Sequence, residues 1–240
     1  MSNFIEAHWP APKTIRAVTT TLSPGYSQGA YASNNLGLHV EDCPEHVLRN
    51  RQQVKSMLAL PGEPAWLQQT HTADVAIVED DPRRNVDASI TRSKTIPLVI
   101  LTADCLPIVL CNQEGTEIAA VHAGWRGLFH GIIQHTIQKM KAPSHTLMAW
   151  IGPAICKNCY ETSLEIKTQF IEKYPYLAHT FTDRNASLSG MAEEILKQHG
   201  VTQVYPSHLC TFEEKNRCYS YRRATQTGRM GTFIWFRDAL

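Results

Sequence analysis

His71, Cys105 and His122 are the residues of this 240-residue chain whose types could do chemistry together. Each stands in a polar or glycine-bearing segment at the end of an apolar run: Gln69-Thr70-His71-Thr72, Thr102-Ala103-Asp104-Cys105-Leu106-Pro107 and Val121-His122-Ala123-Gly124-Trp125-Arg126-Gly127. Two imidazoles and one thiolate are zinc ligands, and three protein ligands leave a fourth tetrahedral position for water, the composition of a catalytic site. Such a site lowers the pKa of its water from about 15.7 to about 7, so that near neutrality much of it is hydroxide. The spacing, 34 residues and then 17, is no zinc-finger pattern, and one histidine or cysteine alone is usually a plain buried or hydrogen-bonded residue. The trio is a site only if the fold brings three distant strand ends together, where α/β folds place their ligands.

The neighbours of the trio extend the chemistry. Asp104 could serve as a general base, orient an imidazole, or simply close its own turn. Arg126, in the turn that opens a helix, could hold an anionic group with help from the helix N-terminus, or be a surface charge. The segment Lys215 to Leu240 carries six basic residues against Asp238 alone, a local balance of +5, with Tyr219 and Tyr221 interleaved. Arg222 and Arg223 are its candidates for gripping phosphate or a nucleobase, against the plainer reading of a solvated face. Cys156 and Cys159 form a Cys-x-x-Cys with no second pair in sequence, so a zinc knuckle or a thioredoxin motif is not expected and both thiols are expected to be reduced and dispensable. The turn Pro24-Gly25 lacks the Gly-Lys-Ser/Thr ending of a phosphate-binding loop.

Elements that could position these residues follow from periodicity. Ile96 to Leu101, Leu106 to Cys111 and Glu117 to Val121 are short runs rich in Val and Ile, apolar throughout, which predicts strands covered on both faces. An apolar stretch runs from Ile15 to Thr21, and further strands are predicted at His145 to Ile151, Val201 to Tyr205 and Thr232 to Phe236. Pro44 to Leu60 carries Val47, Leu48, Val54, Met57 and Leu58 on a helical period, with Pro44 in the first turn and Pro61-Gly62 as the stop. Helices are also predicted from Leu128 to Lys141, Leu164 to Tyr174 and Leu188 to His199. The sum is an α/β (α+β) chain forming one domain over residues 1–240, with a mixed sheet and no Rossmann glycine fingerprint.

Bulk properties exclude some partners. The 23 basic and 22 acidic residues leave a formal charge of +1, which gives no global attraction to nucleic acid or an anionic membrane. No apolar stretch reaches membrane-spanning length. Met1 to Arg16 has polar and proline residues where a secretory leader needs an apolar stretch, and seven cysteines fall without a disulfide framework, so a reducing cytoplasmic setting is expected.

The chain resembles the YfiH family, also called the multicopper polyphenol oxidoreductase or laccase-domain family. The matching segments are Asn35-Leu36-Gly37, Gln69-Thr70-His71, Thr102 to Pro107, His122 to Gly127, Ile151-Gly152-Pro153-Ala154-Ile155, Cys210-Thr211, Ser220-Tyr221-Arg222-Arg223 and Thr227-Gly228-Arg229. They run in order through almost the whole chain. The resemblance implies a four-layer α/β/β/α sandwich, zinc on His71, Cys105 and His122, and small-molecule substrates: phosphorolysis of adenosine, inosine, guanosine or methylthioadenosine, and deamination of adenosine. In such chemistry Cys105, Asp104 and Arg126 are the catalytic candidates and Arg222 and Arg223 the substrate-binding ones. Family members are also described as copper polyphenol oxidases and as factors that keep peptidoglycan precursors correct. Copper in place of zinc and a cysteine hydrolase using Cys105 as nucleophile are therefore rival readings, and a non-catalytic zinc-stabilised binding protein is a third. Laccase chemistry needs several sites and His-x-His spacings, which the eleven scattered histidines lack. The loop Thr21 to Ser27 also lacks the Arg-x-Gly-Gly pattern often seen there, and Thr162 stands where an apolar residue is usual.

Overall fold

The strands expected to be covered on both faces lie at the centre of the structure, a computed structural model that describes residues 3–237. Strands β1 (Phe4–Glu6) and β2 (Ile15–Thr20) are followed by helix α1 (Pro44–Met57), then by β3 (Val75–Ile77), β4 (Ala88–Thr91), β5 (Leu98–Thr102), β6 (Leu106–Asn112) and β7 (Ile118–Ala123). Next come α2 (Trp125–His130), α3 (Ile132–Lys139), β8 (Leu147–Ile151), α4 (Leu164–Lys173), the two-residue strands β9 (Phe181–Thr182) and β10 (Asn185–Ala186), α5 (Leu188–Gln198), β11 (Gln203–Pro206) and β12 (Met230–Phe236).

Two sheets face each other. One has the order β1-β2-β12-β5 and is antiparallel throughout; the other, β11-β8-β6-β7-β4-β3, is mixed, with β11·β8 and β3·β4 parallel. Ala17, Ile100, Val109, Ala120, Trp150 and Ile234 fill the space between them. Val54 and Leu58 of the α1 region close over Val18, Val99, Phe233 and Trp235 on the outside of the four-stranded sheet. Helices α2 to α5 cover the outside of the six-stranded sheet through Leu128, Ile132, Phe170, Met191 and Ile195, among others. The fold is a four-layer α/β/β/α sandwich. Strands β5, β6, β7 and β8 are buried at every position because each of their faces meets another layer. Each such aliphatic side chain contributes about 1.5–3 kcal/mol.

Several boundaries differ from the periodicity for local reasons. The helix expected over 128–141 is two helices, because Gly131 adopts φ +89° between α2 and α3, a left-handed conformation that stops the first helix and re-aims the second. Leu48 and Met57 of α1 point to solvent, 54% and 39% exposed, so its buried stripe is Val47, Val54 and Leu58. The first and shortest strands, β1, β3, β4, β9 and β10, lie where no strand is predicted; at two to four residues they carry too little pattern to show in sequence. No helix among the described residues is long and apolar enough to cross a membrane.

Candidate metal centre

Strand register brings the three distant residues together. In the β6·β7 pair Leu106 lies opposite Ala123 and Pro107 opposite His122, so Cys105, just before β6, comes alongside Gly124 at the same edge. Pro107 has no N–H to donate, which is tolerated near a strand start; its carbonyl accepts from the Gly152 N–H at 2.9 Å, and the His122 N–H donates to the Asp87 carbonyl at 2.7 Å. His71 arrives from the loop before β3. The ligand atoms of His71, Cys105 and His122 all lie within 4.8 Å of one another, with Cys105 Sγ 3.8 Å from His71 Nε2 and the two imidazole centroids 4.8 Å apart.

Asp87, which no sequence motif marked, organises this cluster. Its buried carboxylate accepts the Nδ1 of His122 at 2.7 Å, the backbone N–H groups of Thr70, His71 and Thr72, and the Thr72 hydroxyl at 2.8 Å. One side chain thus fixes both histidines: it orients one ring and pins the loop that carries the other. That loop holds His71 at φ +64°, and Asp104 beside Cys105 sits at φ +93°; non-glycine residues in this region are strained and persist only when their surroundings hold them. No pattern in sequence marks Asp87, because the strand it leads into, β4, is only four residues long.

The protonation states suit a metal. Burial pushes the Cys105 thiol up, but hydrogen bonds and charge from His122 and then His71 outweigh it and leave the thiol at about 6. Burial disfavours a charged His122, but the bonds and charges of Asp87 and Cys105 raise it to about 9. A cluster that shares protons in this way exchanges them for a cation. The donor set, one thiolate and two imidazoles, fits zinc, and an open Gly124 makes room: a Cβ there would lie 3.1 Å from both Cys105 Sγ and His71 Cδ2.

Orienting carboxylates of this kind are worth 10–100-fold in metal affinity. Asp87→Asn is expected to weaken zinc binding by about that factor, read by competition with a chromophoric chelator. Unchanged affinity would remove Asp87 from the centre.

The cluster opens into a cavity of about 510 Å³, the size of sites that take small organic ligands. Three arginine–aromatic pairs frame it: Arg126 over Trp125 at 4.6 Å, Arg222 over Tyr160 at 5.3 Å and Arg229 over Tyr221 at 6.0 Å. Arg126 and Arg222 are exposed at its mouth. Arg223, expected as a partner of Arg222 for substrate, does not line the cavity. Its guanidinium is occupied by the carbonyls of Thr211, Phe212 and Cys218, which makes it a strut for the loop behind the wall. Asp104 is buried at the cavity edge, where its carboxylate accepts from the hydroxyls of Thr211 at 2.6 Å and Ser220 at 3.0 Å and from the N–H of Arg222 at 2.7 Å. His39 and Arg229 also line the cavity, though neither was singled out as a site residue. Burial first, then Arg229 and Arg51, lower His39 and favour its neutral form.

The topology gives the Cys-x-x-Cys neighbours that its place in the sequence did not show. Cys156 and Cys159 follow β8, Cys210 and Glu213 follow β11, and the parallel pairing of β8 with β11 sends both loops from the same end of the sheet. The pair has partners after all.

A sandwich of this topology with a two-histidine, one-cysteine cluster defines a class of protein that comparison identifies. The profile of the family described as multi-copper polyphenol oxidoreductase laccase matches residues 16–237, and the chain belongs to this family, the YfiH family. A purine nucleoside phosphorylase of Pseudomonas aeruginosa is 38% identical, over 99% of this chain and 100% of the relative. The purine nucleoside phosphorylase YfiH of Escherichia coli K12 is 36% identical, over 98% and 99%. Among solved structures, a Neisseria meningitidis protein superposes with a TM-score of 0.94 at 40% identity, covering 99% of this chain and 100% of that one. The YfiH protein of Bacillus licheniformis gives 0.85 at 27%, over 93% of each.

Proposed function

We propose that this protein is a zinc-dependent purine nucleoside enzyme that cleaves adenosine, inosine, guanosine or methylthioadenosine with phosphate and deaminates adenosine. The observation that carries the reading is the convergence of His71, Cys105 and His122 at one end of a cavity walled by aromatic faces and arginines. The substrate class comes from the relatives, whose names are those of purine nucleoside phosphorylases. Zinc held by the three residues would supply an activated water and a Lewis acid. The remaining roles fall to the chain itself. Trp125, Tyr160 and Tyr221 offer flat faces to a purine. Arg126 and Arg222 hold the charge of phosphate through bonds stronger than neutral ones, a local attraction that the net charge of +1 does not supply. A single histidine-containing cluster among the described residues supports one catalytic metal over the several that copper oxidase chemistry needs.

The test is release of free base from inosine and adenosine with and without phosphate, alongside formation of inosine from adenosine in phosphate-free buffer. Phosphate is expected to accelerate base release. Arg126→Ala with Arg222→Ala should raise the phosphate KM about tenfold or more and the nucleoside KM less, since each charge-assisted bond is worth about 1.5–3 kcal/mol. If the zinc-loaded protein releases no base and deaminates nothing, the nucleoside reading fails.

One observation favours a second reading. Asp87, His122 and Cys105 form an acid–imidazole–thiol series with the thiol lowered to about 6, the arrangement of an activated nucleophile. Hydrolysis of an amide in a peptidoglycan precursor is the reaction it would serve.

A further inference from the structure

Outside the cavity centre, one other group of metal-ligating side chains converges among the described residues. Cys156, Cys159, Cys210 and Glu213 each offer one ligand atom, and these four atoms lie within 4.8 Å of one another. Cys210 is buried, Cys156 and Cys159 are partly buried and Glu213 is exposed. All three cysteines are free thiols.

The backbone around them has the form of a metal knuckle. The first two thiols flank the short turn Lys157–Cys159, closed by the Cys159 N–H on the Cys156 carbonyl at 3.1 Å. The third opens a second turn, in which the Cys210 carbonyl accepts from the N–H groups of Glu213 and Glu214 at 3.2 and 2.9 Å. The two turns are joined by a parallel bridge between Ala154 and Cys210, and the Cys156 N–H lies 3.3 Å from Cys210 Sγ, a bond that favours the thiolate. Cys159 Sγ is 3.7 Å from Glu213 Oε1. Zinc bonds of about 2.3 Å to sulfur and 2.1 Å to oxygen at a tetrahedral angle place the two ligand atoms about 3.6 Å apart.

We propose that Cys156, Cys159, Cys210 and Glu213 bind a second, structural zinc ion. Four protein ligands close the coordination sphere, so this centre holds two loops together and has no place for substrate. Its position gives the clamp a purpose. Tyr160 follows Cys159 directly and lines the cavity, and Thr211 follows Cys210 and holds the Asp104 carboxylate. Three thiolates select a soft or borderline cation over magnesium or calcium.

The experiment is a metal count by mass spectrometry on zinc-reconstituted, desalted protein. Wild type is expected to hold two zinc ions per chain, His71→Ala with His122→Ala one, and that variant with Cys156→Ser and Cys159→Ser added none. Cobalt(II) titration of the wild-type chain supplies a second measurement that needs no variant to fold. Saturation should require two equivalents, and the sulfur-to-cobalt absorption should exceed what one cysteine gives. Saturation at one equivalent, a metal count of one that vanishes with the histidine substitutions, or a disulfide between any two of these cysteines in the purified protein would each overturn the proposal.

Discussion

Cys105→Ser is expected to lose one zinc ion per chain and at least about 10³-fold in kcat/KM, while the fold stays intact. Serine keeps the shape of the side chain, but a hydroxyl is a far poorer ligand than a thiolate for a borderline-soft ion. A thousandfold loss corresponds to about 4 kcal/mol of transition-state stabilisation, the order that one metal supplies through activated water and neutralised charge. The fold should survive because Cys105 is only partly buried and its backbone position is fixed by strand pairing from Leu106 onward. Circular dichroism and metal analysis on one preparation, with turnover on the best nucleoside, make the measurement. If turnover falls and the zinc count does not, the sulfur is a nucleophile and the Asp87–His122–Cys105 reading gains. If neither falls, Cys105 is neither ligand nor nucleophile.

The convergence of His71, Cys105 and His122 could be anticipated in sequence because each stands at the end of an apolar run and the runs themselves were plain. Strands β5, β6 and β7 are buried on both faces, and their unbroken apolar character reports that directly. What sequence could not supply was pairing. Asp87 reaches His122 only because β4 lies antiparallel beside β7, and β4 is four residues long. Cys210 reaches Cys156 only because β11 runs parallel to β8 across an interval of more than fifty residues. A Cys-x-x-Cys therefore looked unpartnered for the same physical reason that Asp87 went unnoticed: the missing members are distant in sequence and joined by a sheet register. Arg223 failed in the opposite direction. Its charge and its place beside Arg222 were visible, but the three carbonyls that consume its guanidinium belong to a turn no periodicity foretold.

Asp104→Ala is expected to destabilise the fold by about 3–5 kcal/mol, the range for breaking a buried charged network. Asp104 is 9% exposed and its carboxylate accepts three hydrogen bonds, from Thr211 Oγ1, Ser220 Oγ and the Arg222 N–H. Bonds to a charged acceptor contribute about 1.5–3 kcal/mol each, and removing the acceptor leaves three donors in a place with little water to replace it. For a chain of this size the loss should lower Tm by about 10 °C, since each kcal/mol is worth about 2–4 °C. The same bonds tie residues 211–223 to the strand end that presents Cys105, so that segment should become the first site of limited proteolysis. The conservative change separates anchoring from proton transfer. Asp104→Asn keeps the shape but turns an N–H₂ toward donors, so an anchoring Asp104 predicts a Tm well below wild type. An Asp104 that carries a proton in the reaction predicts instead a Tm near wild type with kcat reduced 10²-fold or more. The three short bonds already formed favour the first outcome, and a variant with wild-type Tm and lost kcat would reverse the assignment.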